Sequence, residues 1–173
     1  MRKKLWRPAL WLMVLLLVLL SGTVAAYMIR RTGQTVNTFS PAVVKCQVEE
    51  AFDGSEKSSI RVTNTGNTDA YLRLRLVTYW VDENGNISGS RPSEDISLTP
   101  AGGWFSKETD TWYYPEPIAP GETTPELLSS PLVLKAEDGL YQVIEVFAEA
   151  IQSLPADAVE NSWKVTVTDG KIQ

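Results

Sequence analysis

From Ala70 to Val81 the chain alternates with a period of two. Leu72, Leu74, Leu76 and Trp80 fall on one side, and Tyr71, Arg73, Arg75 and Tyr79 on the other. Successive side chains of a strand point to opposite faces, so this pattern predicts a strand with one face on a core and one toward water. Leu140–Gln152 repeats it, with Ile144, Val146, Ala148 and Ala150 opposite Val143, Glu145, Phe147 and Glu149. Lys57–Thr63 sets Ile60 and Val62 against Arg61 and Thr63, and Val43–Glu50 aligns Val44, Cys46 and Val48.

Turn signals separate these runs. Asp53-Gly54, Asn64–Asp69 and Asp82–Asn86 are rich in residues that tolerate left-handed backbone, and Asn-Gly is a strong hairpin signal. Gly102–Tyr114 reads as an aromatic hairpin divided by Lys107–Asp110. Pro115–Pro125, with four prolines, reads as a crossing loop. Glu126–Leu134 reads as a strand interrupted at Pro131, and hence as an edge. Pro155–Trp163 has a helical start, with Pro at an early position and acids in the first turn, and Lys164–Val167 offers a last strand. The fold class expected is all-β: seven to nine strands in an antiparallel β-sandwich, with one short helix near the C-terminus.

The N-terminus has another character. Arg2, Lys3, Lys4 and Arg7 precede an unbroken apolar run, Ala9–Leu20, and then Ser21-Gly22-Thr23-Val24-Ala25-Ala26. A basic start, an apolar centre and small residues form a signal-peptide pattern, with cleavage after Ala25 or Ala26, ahead of Tyr27. Counted on to Ile29, the stretch is also long enough to act as an uncleaved membrane anchor. Both readings place the following domain outside the cytoplasm, with the membrane touched only through this segment. The expected organisation is a signal peptide or anchor helix over 1–26, an extended arm over 27–41 and a β-sandwich over 42–173.

The chemistry of the chain excludes more than it assigns. Net charge is −5, and without the four basic residues before position 8 it is −9, which disfavours nucleic acid as a partner. Histidine is absent, which removes Ser-His-Asp triads and the common zinc sets. The lone Cys46 has no internal disulfide partner and reads as a small buried strand residue, with an intermolecular disulfide as the alternative. Asp82-x-Asn84-x-Asn86 imitates the start of a calcium loop but has Ile87 and Ser93 where such loops need Gly and Glu, so a hairpin turn is expected. Glu145 and Glu149, roughly 13 Å apart on one strand face, are too far apart for a glycosidase pair. They suit cross-strand pairing with Arg73 and Arg75. Trp112-Tyr113-Tyr114 reads as core packing, with a sugar-stacking platform as the alternative. Asn86-Ile87-Ser88 matches a glycosylation sequon. No cofactor site, metal site or active site is expected, and no enzyme activity.

The order of several motifs carries a resemblance. Gly22-Thr23-Val24-Ala25-Ala26-Tyr27, Thr35-Val36-Asn37-Thr38-Phe39-Ser40, Val62–Arg73 with its Asn-Thr-Gly-Asn-Thr-Asp-Ala-Tyr core, Ile118–Thr123 and Ala148–Gln152 follow one another. In this order they resemble the TasA/camelysin family of Gram-positive bacteria across nearly the whole chain. The resemblance implies a jelly-roll sandwich, export through a SipW-type signal peptidase and, by analogy with TasA, assembly into extracellular biofilm fibres. Some relatives are described as metalloproteases, but the residues here carry no zinc motif to match. The expected function is therefore an exported structural protein of the matrix or cell surface, self-associating by strand addition. The arm supplies Tyr27, Ile29, Val36 and Phe39 as anchors for a neighbouring subunit. A monomeric surface module that binds carbohydrate is the alternative, and a camelysin-like protease a more distant one.

Overall fold

The computed structural model describes residues 10–17, 40–90, 92 and 96–173. The chain divides into two units, Met1–Ser40 and Pro41–Gln173. In the first, residues 10–17 form an exposed helix, α1. Among the described residues no helix is long and apolar enough to cross a membrane. The expected cleavage region, Thr23 to Tyr27, and the arm anchors Tyr27, Ile29, Val36 and Phe39 lie outside the described residues.

The second unit is built from antiparallel sheets. Its strands are β1 (Cys46–Phe52), β2 (Glu56–Asn64), β3 (Ala70–Val81), β4 (Phe105–Glu108), β5 (Thr111–Tyr113), β6 (Leu132–Val133), β7 (Ala136–Glu137), β8 (Leu140–Gln152), β9 (Val167–Thr168) and β10 (Lys171–Ile172). A helix, α2 (Ala156–Trp163), lies between β8 and β9. One sheet has the order β1-β2-β6, the second β4-β5-β3-β8-β7, and β9-β10 form a small ribbon. The two long alternating runs pair along their whole length, Ala70 opposite Gln152 through to Val81 opposite Tyr141.

The two larger sheets face each other over one core. Ile60 and Val62 from β2 meet Leu72, Leu74, Leu76, Trp112 and Ile144 from the five-stranded sheet. Ile60, Val62, Leu72 and Leu74 are wholly excluded from water. The inward faces predicted from the alternation are the faces observed.

The outer face of β3 departs from expectation. Tyr71, assigned to water, is 2% exposed because α2 and the β9–β10 ribbon fold back over that end of the sheet. Tyr71, Tyr113, Val159, Trp163, Val165 and Ile172 make a second, smaller core there. Pro155 stands just outside α2 as its N-cap rather than in its first turn, and Lys164 ends it in left-handed backbone. The expected last strand, Lys164–Val167, is instead the short ribbon of β9 and β10.

The expected strand over Glu126–Leu134 survives only as β6. Residues 122–134 do run along β2, with Asn64 donating to Glu122 O and Leu127 to Ile60 O. Side chains interrupt the ladder, however: Val62 N–H also goes to Thr124 Oγ1, and Ile60 N–H goes to the Glu126 carboxylate. From β6 the chain crosses between the sheets. Leu134 donates to Ser55 O beside β2, and Lys135 O then accepts from Gln142 of β8.

Candidate functional site

Strand parity locates the free backbone groups. In β2, Ile60, Val62 and Asn64 direct their N–H groups toward residues 122–127, so the odd-numbered residues face β1. Thr65 donating to Lys45 O continues that pattern. In β1, therefore, Cys46, Val48 and Glu50 turn their backbone polar groups away from β2. In β8, Gln142 N–H points outward to Lys135, whereas Ser153 N–H points to Asp69 on the β3 side. Ile144, Val146, Ala148 and Ala150 hence present outward N–H groups. β7 and Lys135 cover β8 only from Leu140 to Gln142, and among the described residues no strand pairs with the rest of that edge.

The same residues line an incompletely covered part of the core. Cys46 and Val48 of β1, and Val146, Ala148 and Ala150 of β8, pack on the main cluster but stay partly exposed. β1 lies against β8 across the two sheets. Among the described residues, the result is a seam with two open edges and a half-covered apolar floor. Cys46 sits in it half-buried, not fully buried as expected. Burial, and then the Glu149 charge, raise its thiol pKa and keep it protonated.

The docking of β1 is a feature that the sequence reading missed. Asn67 Oδ1 accepts from Val43 N–H at 2.6 Å and its Nδ2 donates to Pro41 O. Asn64, wholly buried, donates to Thr68 O and Ile118 O and accepts from Gly66 N–H. The turn is thus a clamp that holds the lead-in to β1 as well as a reversal between β2 and β3. Its one readable signal was the density of Asn and Gly over residues 64–67.

The remaining chemical candidates resolve as structure. Arg73 pairs with Glu149 at 2.7 Å and lies 4.7 Å from the Trp163 ring, joining β3, β8 and α2. Arg75 pairs with Asp110, not Glu145, because the register sets Phe147 opposite Arg75. Glu145 instead accepts from the Tyr79 hydroxyl at 2.8 Å. Trp112 and Tyr113 are 3% and 1% exposed and Tyr114 is only partly exposed, so the three do not form an open aromatic face. Asp82 Oδ1 accepts from the backbone N–H groups of Asn84 and Asn86, a closed turn, and the Asn86 side-chain Nδ2, donating to Oδ2, is foremost in lowering its pKa. Among the described residues no group of His, Cys, Asp and Glu is placed to hold a metal ion.

Comparison with protein-family models, with curated proteins and with solved structures finds no match to this chain.

Proposed function

We propose that the chain is an exported structural protein of the cell surface or extracellular matrix, a fibre subunit assembling by strand addition and not an enzyme. In this reading residues 1–26 are the signal or anchor segment, removed by a SipW-type signal peptidase, and 27–41 are the arm. The jelly-roll arrangement and the kinship with the TasA/camelysin family belong to the same proposal. The observation that carries it is the seam. An unpaired strand edge invites an incoming strand, and natural sheets usually blunt such edges with charge, proline or bulges. The outward N–H groups of β8 belong to Ile144, Val146, Ala148 and Ala150, with no charge or proline among them. A strand laid there gains main-chain hydrogen bonds and covers the apolar floor. A head-to-tail contact of that kind need not close, so it can propagate as a filament. Electron microscopy of forms beginning at Tyr27 and at Pro41 tests this. Fibres from the first and none from the second are expected. Equal polymerisation by both, or none by either at high concentration, rules the arm out.

A further inference from the structure

At one end of the sandwich lies a cleft of about 510 Å³ between the β1–β2 turn, the crossing stretch 134–136 and the start of β8. It is unlike the seam. Most of its main chain at the crossing is already engaged: Leu134 N–H on Ser55 O, Gln142 N–H on Lys135 O, and Lys135 N–H on Gln142 Oε1, with the outward N–H of Ile144 left at its inner end. With β6 on β2 and β7 on β8, the cleft offers side chains rather than a strand edge, which disfavours an extended peptide.

Those side chains have a particular character. Phe52 and Tyr141 line the cleft from opposite sheets and are 52% and 47% exposed. The floor is Ile144 and the stem of Lys57. The Lys57 ammonium is ion-paired to Glu50 at 2.6 Å and lies 5.3 Å from the Phe52 ring, so the floor is neutralised and the ring is steadied. Gln142 adds a carboxamide and Ser55 a hydroxyl. A second cavity of about 190 Å³ adjoins, sharing Gln142, Ile144 and Lys135 with the first. A chain bearing −5 overall repels long polyanions.

The lining holds no acid, and its two cations, Lys57 and Lys135, both have partners, so an uncharged occupant fits, one that carries apolar faces for two aromatic rings and hydroxyls at its rim and can continue into the neighbouring cavity. A pyranose has those properties: C–H groups on its faces and hydroxyls around its edge. We propose that this cleft binds a neutral glycan, one sugar ring stacking on Phe52 and Tyr141 while the chain runs toward the smaller cavity. The cleft meets the seam only at Ile144, and Phe52 and Tyr141 lie outside it, so sugar binding does not depend on whether subunits assemble.

The test is binding of three neutral hexasaccharides (of glucose, mannose and N-acetylglucosamine) to immobilised full-length protein, with polygalacturonate and an apolar hexapeptide as comparators. At least one hexasaccharide is expected to bind. Tyr141→Leu, which keeps apolar bulk but removes the ring, should weaken it roughly tenfold, as should Phe52→Ala. Tyr141→Phe should retain it, and so should Phe147→Ala, an equally exposed aromatic of β8 outside the cleft. The proposal is overturned by no hexasaccharide binding at about 10 mM. It is equally overturned by binding that survives Tyr141→Leu and Phe52→Ala, or by binding confined to polygalacturonate or to the peptide.

Discussion

Gly66 is the tightest point in the clamp that holds the lead-in to β1. A Cβ built there falls 2.3 Å from Val43 O, a backbone atom that cannot swing aside. Gly66→Ala should therefore displace residues 43–45 and cost about 1–3 kcal/mol in urea unfolding. Gly89→Ala, where an added Cβ meets nothing within 4 Å, should leave the midpoint unchanged. Glu126 works at the other edge of β2. Its carboxylate accepts from Ile60 N–H, the Ser59 hydroxyl and Arg61 Nε. Burial alone would raise its pKa, but these hydrogen bonds together outweigh burial and hold it below the usual glutamate value. A carboxyl depressed in the folded state adds stability above its unfolded pKa, and that stability fades as pH falls through the folded one. Glu126→Ala leaves the buried Ile60 N–H without its partner and should cost about 1–3 kcal/mol at neutral pH. In Glu126→Gln an oxygen still accepts, so the loss should be smaller. Thermal melts from pH 7 down to about 3 should then show a shallower acid decline for Glu126→Gln than for the parent.

At the scale of elements, the long strands were legible and the short ones were not. β3 and β8 announce themselves because twelve or more residues of alternation outvote any local exception, and their inward faces are those expected. β1 begins at Cys46 and runs on to Phe52, later than the alternation over Val43–Glu50 indicated. Residues 43–45 hold their extended course through Asn67 and the turn, contacts that no local pattern encodes. The chain beside β2 was unreadable as well, because Thr124 and Glu126 take by side chain what a strand takes by backbone. For the candidate site, the sequence marked apolar residues on β1 and β8 as inward but could not show that β1 is outermost and that β7 covers only the start of β8. Tyr71 illustrates a further limit: alternation gives the side of a sheet, not whether a later element covers it. That later element is α2, whose eight residues are too few to persist in water alone. It is held by Val159, fully buried, and by Trp163 between Tyr113 and Arg73. Trp163→Ala should release α2 and the β9–β10 ribbon while β3 and β8 keep their pairing. Hydrogen exchange should rise across 156–172 and stay slow at Leu72–Leu76. Simultaneous loss of protection in both regions would mean the two cores form one cooperative unit.

For the whole molecule, the question is why a sandwich should leave its core half-covered along one side. Ile60 and Val62 of β2 and Leu72 and Leu74 of β3 exclude water completely, so the composition could have made a sealed sandwich. Along β1 and β8, the strands with outward backbone unpaired among the described residues, Cys46, Val48, Val146, Ala148 and Ala150 are all partly exposed, as are Ile96, Leu98, Tyr114, Leu132 and Leu134 elsewhere around the core. Coverage and pairing are thus missing in the same place, and one added strand supplies both. This separates assembly from folding, and a single substitution can test the separation. Ala148 lies mid-way along the open part of β8, with its N–H directed outward and away from β3. Proline is tolerated in a strand where the missing N–H faces the unpaired side, because no ladder bond within the domain is lost. Ala148→Pro should therefore lower stability only modestly, with the β3–β8 pairing retained in hydrogen exchange. It should nevertheless abolish fibres, since an incoming strand meets a gap in the donors and a ring in its path. Val48→Pro makes the same change on β1, whose open run is shorter, and fibres should persist if the strand enters along β8. Fibres from Ala148→Pro and none from Val48→Pro would move the acceptor edge to β1. Undiminished fibres from both would show that the seam is not where subunits join.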